Sequence, residues 1–325
     1  MVDSPWFIDV KYIQANSIMD HGPSTMDSSK TLIVIAGPTA SGKTAAAIEI
    51  ARHYNTVVIS ADSRQFYREM SIGTAKPSEE ELNAARHYFI NSLSITESYT
   101  AGDYEKQSLD LLTSLFKIHD VVVLVGGSGL FIKAVCEGFD EFPDTDPAIR
   151  EQLNAELTDN GIIYLQQKLK AADPEYYNQV DLNNPQRIIR ALEIFESTGK
   201  QYSSFLRSAL NKRPFHIVKT GLSLPREILY SRINQRVDEM VKQGLVDEVR
   251  SLLPFRHLNA LNTVGYTELF DYFDGKIDLN TALELIKQNT RRFAKRQMTW
   301  FGKDKEINWV EANDLNLVNK IIALV

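Results

Sequence analysis

Residues Gly37, Pro38, Thr39, Ala40, Ser41, Gly42, Lys43 and Thr44 follow one another and make a complete phosphate-binding loop. Its glycines let backbone N–H groups turn inward as a nest for an anion. Lys43 can reach the terminal phosphates, and the Thr44 hydroxyl can ligate Mg²⁺. The chemistry on offer is recognition of a di- or triphosphate. Such a loop works only between a strand and a helix. The run Thr31-Leu32-Ile33-Val34-Ile35-Ala36 before it is apolar and β-branched, as a buried strand is. Ala45 to Ala51 after it is rich in helix formers, and a helix start adds its positive dipole end.

Asp62 is the second chemical group. It follows a strand-like run, Thr56 to Ser60. In open α/β sheets ligands bind outside the carboxyl ends of the strands, so Asp62 is expected to face the phosphates. Three roles stay open for it: Mg²⁺ ligand, general base, or cap of a following helix. A third strand, Val121 to Val125, ends in Gly126-Gly127-Ser128-Gly129 with no acidic residue at its tip. Most triphosphate-hydrolysing enzymes with this loop hold Mg²⁺ through an Asp there, which argues against an ATPase or GTPase. The glycine run implies either close backbone approach to a ligand or a tight strand-to-helix turn.

Two basic clusters follow. Lys287, Arg291, Arg292, Lys295, Arg296 and Lys303 lie in a stretch without an acidic residue. Lys287, Arg291 and Lys295 repeat every four residues, which places them on one helical face, with Phe293, Trp300 and Phe301 interleaved. A basic stripe with aromatics suits a nucleic-acid backbone, and a solvated face is the alternative. Gln186, Arg187 and Arg190 cluster near a helix start, with the two arginines on one face. They could meet phosphate or base edges, or be ordinary surface residues.

The elements that must position these groups come from the wider pattern. The chain has 325 residues, 43% hydrophobic and 24% charged, an ordinary make-up for a globular enzyme. Its net charge of -6 makes the local basic stripe more telling. The one cysteine, Cys136, excludes an internal disulfide and a multi-cysteine zinc site. No apolar run is long enough to span a membrane, and without an export signal the cytoplasm is the expected compartment. Residues 1–26 read as a disordered or loosely docked leader, with Met26 as a second candidate start. Strands alternating with helices predict a parallel sheet covered on both faces. The segment 138–214 opens with a Pro/Asp-rich passage and then shows only helical patterns. It reads as a helical insertion between core segments 27–137 and 215–325. Within it, Asn184-Pro185 predicts a helix start and Gly199 its end.

Taken together, these residues resemble the tRNA dimethylallyltransferases, also called tRNA isopentenyltransferases. The resemblance rests on the loop at 37–44, on Asp62-Ser63 with Tyr67 and Ile72-Gly73-Thr74-Ala75-Lys76-Pro77, and on Leu124-Val125-Gly126-Gly127. It continues through Asn184-Pro185-Gln186-Arg187, Arg190-Ala191-Leu192-Glu193, Val264-Gly265-Tyr266, and Thr290 to Trp300. It implies a P-loop NTPase-like α/β core with a tRNA-contacting helical insertion. It also implies transfer of a dimethylallyl group from dimethylallyl diphosphate to the exocyclic amine of the adenine 3′ to the anticodon, in tRNAs reading UNN codons. Under this resemblance Asp62 is the general base, Lys43 and Arg236 bind the diphosphate, and Thr44 holds Mg²⁺. Contacts to tRNA would come from Asp62, Ser63, Arg64, Gln65, Ser128, Arg150, the stretch Gln186-Arg187-Ile188-Ile189-Arg190, and Arg291, Arg292 and Lys295. The chain departs from the family at Ser128 and Phe131, where Thr and Tyr are usual. A monomer is expected. The alternatives are a P-loop kinase of a small molecule and an adenylate isopentenyltransferase; the basic helix counts against both.

Overall fold

The computed structural model describes residues 30–140, 142–206 and 212–325. The leader expected at 1–26 lies outside them. The described chain divides into two compact units, one up to Cys136 and from Arg213 onward, the other Glu137–Lys212.

The larger unit is built on a six-stranded sheet in the order β3-β2-β4-β1-β5-β6. The strands are β1 (Thr31–Ala36), β2 (Val58–Ser60), β3 (His87–Tyr88), β4 (Val121–Gly126), β5 (His216–Ser223) and β6 (Asn308–Glu311), all pairing in parallel. Every residue of β1 and β4 is buried, which is why both read as unbroken apolar runs. Alternate residues serve opposite faces. Leu32, Val34, Val122 and Leu124 pack with Tyr104, Leu111 and Leu112 of α3 (Ala101–Leu115) and with Ile132 and Val135 of α4 (Gly129–Glu137). Ile33, Ile35, Val123 and Val125 pack with Ala46, Ala47 and Ile50 of α1 (Lys43–His53). Each fully buried aliphatic side chain stabilises the fold by about 1.5–3 kcal/mol.

Register carries the chemistry. Ala36 of β1 pairs with Gly126 of β4 and Gly221 of β5, and Ser60 of β2 pairs with Val125. The carboxyl ends of β1, β2 and β4 are therefore level to within one residue, and the segments that follow them emerge at one end of the sheet. Between β2 and β3 lies the short α2 (Glu79–Ala84), closed by a capping box between Ser78 and Glu81. Beyond β5 come α8 (Arg226–Lys242), α9 (Leu245–Ser251), α10 (Thr267–Phe273) and α11 (Leu279–Phe301), then α12 (Leu317–Ile322) after β6. Val237, Leu245, Val249, Leu269, Phe270, Ala282 and Ile286 form a further core with Tyr67 and Met70.

The described residues of the smaller unit include α5 (Pro147–Ala172), α6 (Pro174–Tyr177) and α7 (Pro185–Thr198), with a 3₁₀ turn at Tyr202–Phe205 and irregular segments between them. Asp146 caps α5, which is broken at Gly161. The α7 start and stop are those the sequence predicts: the Asn184 side chain accepts from the Arg187 N–H, and Gly199 takes the left-handed conformation. Leu153, Leu165 and Leu169 pack against Ile188, Ile189 and Leu192.

Candidate active site

The phosphate loop connects β1 to α1, and Lys43 is the first residue of that helix. Gly42 has φ 89, a left-handed conformation that side-chain-bearing residues avoid, and this turns the chain into α1. Lys43 Nζ donates to the carbonyl of Pro38 at 2.5 Å. Arg236 of α8 donates to the Thr39 hydroxyl at 3.4 Å. Both cations line one cleft of about 2220 Å³ together with Thr44, Asp62, Gln65 and Ser128.

Asp62 follows β2, as expected. Its carboxylate accepts from the Arg64 N–H at 3.0 Å, closing a turn; no helix follows until α2, which Ser78 caps. The helix-cap role is thereby removed. Burial pushes the Asp62 carboxyl above its ordinary value, opposed by the Arg64 N–H and the Lys43 charge. Burial lowers Lys43 to about 7, with Asp62 opposing and Arg236 adding to the shift. Burial also lowers Arg236. Two desolvated cations and one desolvated carboxylate make a site that an anion would complete. Among the described residues no group of three or more His, Cys, Asp or Glu could hold a metal by itself.

Ser128 stands beyond β4 beside the 62–65 turn. Its hydroxyl accepts from the Ser63 N–H at 3.1 Å and donates to the Ser63 hydroxyl at 3.2 Å. Gln65 Nε2 donates to the carbonyls of Thr74 and Ala75, each at 3.2 Å. Arg64 is turned to structure: its guanidinium donates to the carbonyls of Asn259 and Asn262 at 3.1 and 3.3 Å.

The basic stripe on α11 is only partly a surface. Lys287 is held by Asp238 and Glu284 at 2.8 and 3.0 Å. Arg291 donates to Asn234 Oδ1 at 2.6 Å and lies over the Tyr230 ring. Both therefore pack toward α8. Arg292, Lys295 and Arg296 are exposed, as is Phe293, over whose ring Arg296 lies.

In the helical unit, Arg150 and Arg190 both donate to Glu193 Oε2, at 3.1 and 3.0 Å, and Arg150 also reaches Gln186 at 3.1 Å. Gln186 and Arg187 are exposed. Ile188 and Ile189 require a correction: both are wholly buried in the core of that unit, so their side chains cannot meet tRNA. They follow Arg187 on the inward face of α7.

Sequence reasoning gave no role to Gln297 or Glu248. Gln297 accepts from the Thr39 N–H at 2.9 Å and donates to the Gly127 carbonyl at 2.8 Å. The available signal was a polar residue on the apolar stripe Ala294, Gln297, Phe301. Glu248 accepts from the N–H groups of Ser71, Ile72 and Gly73 and from the Tyr266 hydroxyl, at 2.7–3.0 Å. Nothing local in the sequence marks it.

Comparisons with known proteins place the chain in a family. The sequence profile of the family described as IPPT, IPP transferase, matches residues 65–304. A tRNA dimethylallyltransferase of Christiangramia forsetii is 56% identical over 88% of this chain and 95% of its own length. One of Flavobacterium johnsoniae is 52% identical over 87% and 93%. The crystal structure of the full-length tRNA isopentenylpyrophosphate transferase of Bacillus halodurans is 37% identical, with a TM-score of 0.67 over 90% of this chain and 94% of that one. A eukaryotic dimethylallyltransferase acting on tRNA is 25% identical, with a TM-score of 0.74 over 90% and 77%. The chain belongs to the tRNA dimethylallyltransferase family.

Proposed function

We propose that this enzyme transfers the dimethylallyl group of dimethylallyl diphosphate to the exocyclic amine of the adenine 3′ to the anticodon in tRNAs reading UNN codons. The observation that carries the reading is the meeting of Lys43, Arg236 and Asp62 in one cleft. As the allylic C–O bond breaks, negative charge grows on the departing diphosphate. Lys43, Arg236 and the loop N–H groups stabilise that charge where it develops. The adenine nitrogen is a poor nucleophile because its lone pair is delocalised into the ring. Asp62 takes the proton from that nitrogen as the C–N bond forms, a contribution of roughly 10²–10⁴. Diphosphate leaves, and the proton stays on the carboxylate until solvent removes it.

Mg²⁺ fits the donors. Thr44 offers a hydroxyl in the same cleft as the loop, and Mg²⁺ prefers oxygen ligands shared between a protein side chain and substrate phosphates. When bound, it would neutralise part of the diphosphate charge. The adenine must leave its stack to enter the cleft. Arg292 and Lys295 would hold the tRNA backbone, as would Arg187, Arg190 and Arg150 of the insertion unit. The reading takes the enzyme as a monomer acting in the cytoplasm. Among the described residues no helix is long and apolar enough to cross a membrane.

The test is release of diphosphate from dimethylallyl diphosphate with and without tRNA. Release that depends on tRNA supports the reading. Phosphate transfer from ATP without tRNA overturns it.

A further inference from the structure

Helix α11 buries Ala294, Gln297 and Phe301, and of these only Gln297 is polar. A buried amide is costly unless both its ends are hydrogen-bonded. Here both are: Oε1 accepts from the Thr39 N–H at 2.9 Å, and Nε2 donates to the Gly127 carbonyl at 2.8 Å. The fit to Gly127 is close, since a Cβ there would lie 2.3 Å from Nε2. Thr39 belongs to the phosphate loop, and its hydroxyl accepts from Arg236. Gln297 therefore orients the residue through which the loop meets that cation. The same amide ties the loop to the segment after β4. Gln297 lines the cleft together with its exposed neighbours on α11, Phe293 and Arg296.

We propose that Gln297 is a positioning residue: it holds Thr39, and through it Arg236, in the shape that binds diphosphate. Both polar ends of its amide are taken up by Thr39 and Gly127. The diphosphate reading of the loop underlies the proposal. Only a side chain carrying both a donor and an acceptor can bridge Thr39 and Gly127. Methionine fills a similar space with neither. Glutamate keeps the acceptor but sets a charge against the Gly127 carbonyl and the diphosphate.

The experiment titrates full-length wild type, Gln297→Met and Gly127→Ala with inorganic diphosphate and, separately, with unmodified tRNA. Gly127→Ala leaves the glutamine intact but crowds its amide, so it tests the same bridge by another route. In both variants the dissociation constant for diphosphate should rise about tenfold, as expected for one lost buried bridge. Affinity for tRNA should stay at the wild-type value. In turnover, KM for dimethylallyl diphosphate should rise by the same factor, with kcat at saturation changed much less. Unchanged diphosphate affinity in both variants would overturn the proposal, and so would a parallel fall in tRNA affinity. A wild type that binds diphosphate but transfers no prenyl group would refute the proposed function and leave the result for Gln297 standing.

Discussion

The Lys43 ammonium is turned back onto the carbonyl of Pro38, 2.5 Å away in its own loop. The cation that should meet the substrate is thus held by the loop that carries it. Burial has lowered it to about 7, so above that pH it is largely neutral. A diphosphate favours the charged form and should recharge it on binding. Binding of dimethylallyl diphosphate at pH 8 should therefore take up a proton, and affinity should fall as pH rises through about 7. Calorimetry in buffers of different ionisation enthalpy reads the proton count. Binding without uptake at pH 8 would contradict the assignment, as would equal uptake by Lys43→Arg.

Asp62 shifts the other way, its carboxyl raised above the ordinary range by burial. A base must be ionised, so turnover should fall as pH drops through that raised value. The acid limb of kcat/KM, which reports the free enzyme, should lie above the range of an exposed carboxylate. Asp62→Asn should lose the acid limb and roughly 10²–10⁴ of kcat, with tRNA affinity retained. Turnover unchanged in this variant would remove Asp62 from the chemistry.

The two halves of the α11 stripe should behave differently. Arg292 and Lys295 are exposed, whereas Arg291 is bonded to Asn234. Replacing Arg292 and Lys295 by alanine should weaken tRNA binding and flatten its salt dependence. Each lost phosphate contact should reduce the slope of log K against log salt by roughly 0.7–0.9. Arg291→Ala should lower thermal stability more than it changes that slope. A salt slope identical in wild type and the double variant would make the stripe a solvated face.

Glu248 and Tyr266 support the 71–73 segment, which lines the cleft. Tyr266→Phe removes one of four donors to Glu248 and should cost about 1–3 kcal/mol in urea unfolding. Glu248→Ala leaves three backbone N–H groups without their acceptor and should cost more. The reverse order would mean that the Tyr266 ring matters more than the carboxylate.

The parts of this molecule legible in its sequence are those whose signals are local. The β1 strand, the loop at 37–44 and the α1 start lie within the 14 residues from Thr31 to Thr44, and apolar runs, glycines and a lysine each point the same way. The α7 boundaries were legible because Asn184, Pro185 and Gly199 act on their own neighbours. Ile188 and Ile189 do not fit the expectation because a motif marks a stretch of chain, whereas a helix of about 3.6 residues per turn carries adjacent residues such as these onto its inward face. Lys287 was misread as stripe because its partner Asp238 lies on another helix. Gln297 and Glu248 act on residues 258 and about 176 positions away, which no periodicity can reveal.

The central claim is prenyl transfer to one adenine. The most direct measurement mixes the protein, Mg²⁺, labelled dimethylallyl diphosphate and an unmodified UNN-reading tRNA, then digests the tRNA and weighs its nucleosides. The account predicts label on the adenine 3′ to the anticodon and on no other nucleoside. An unlabelled tRNA with the protein folded, or label elsewhere, would contradict it.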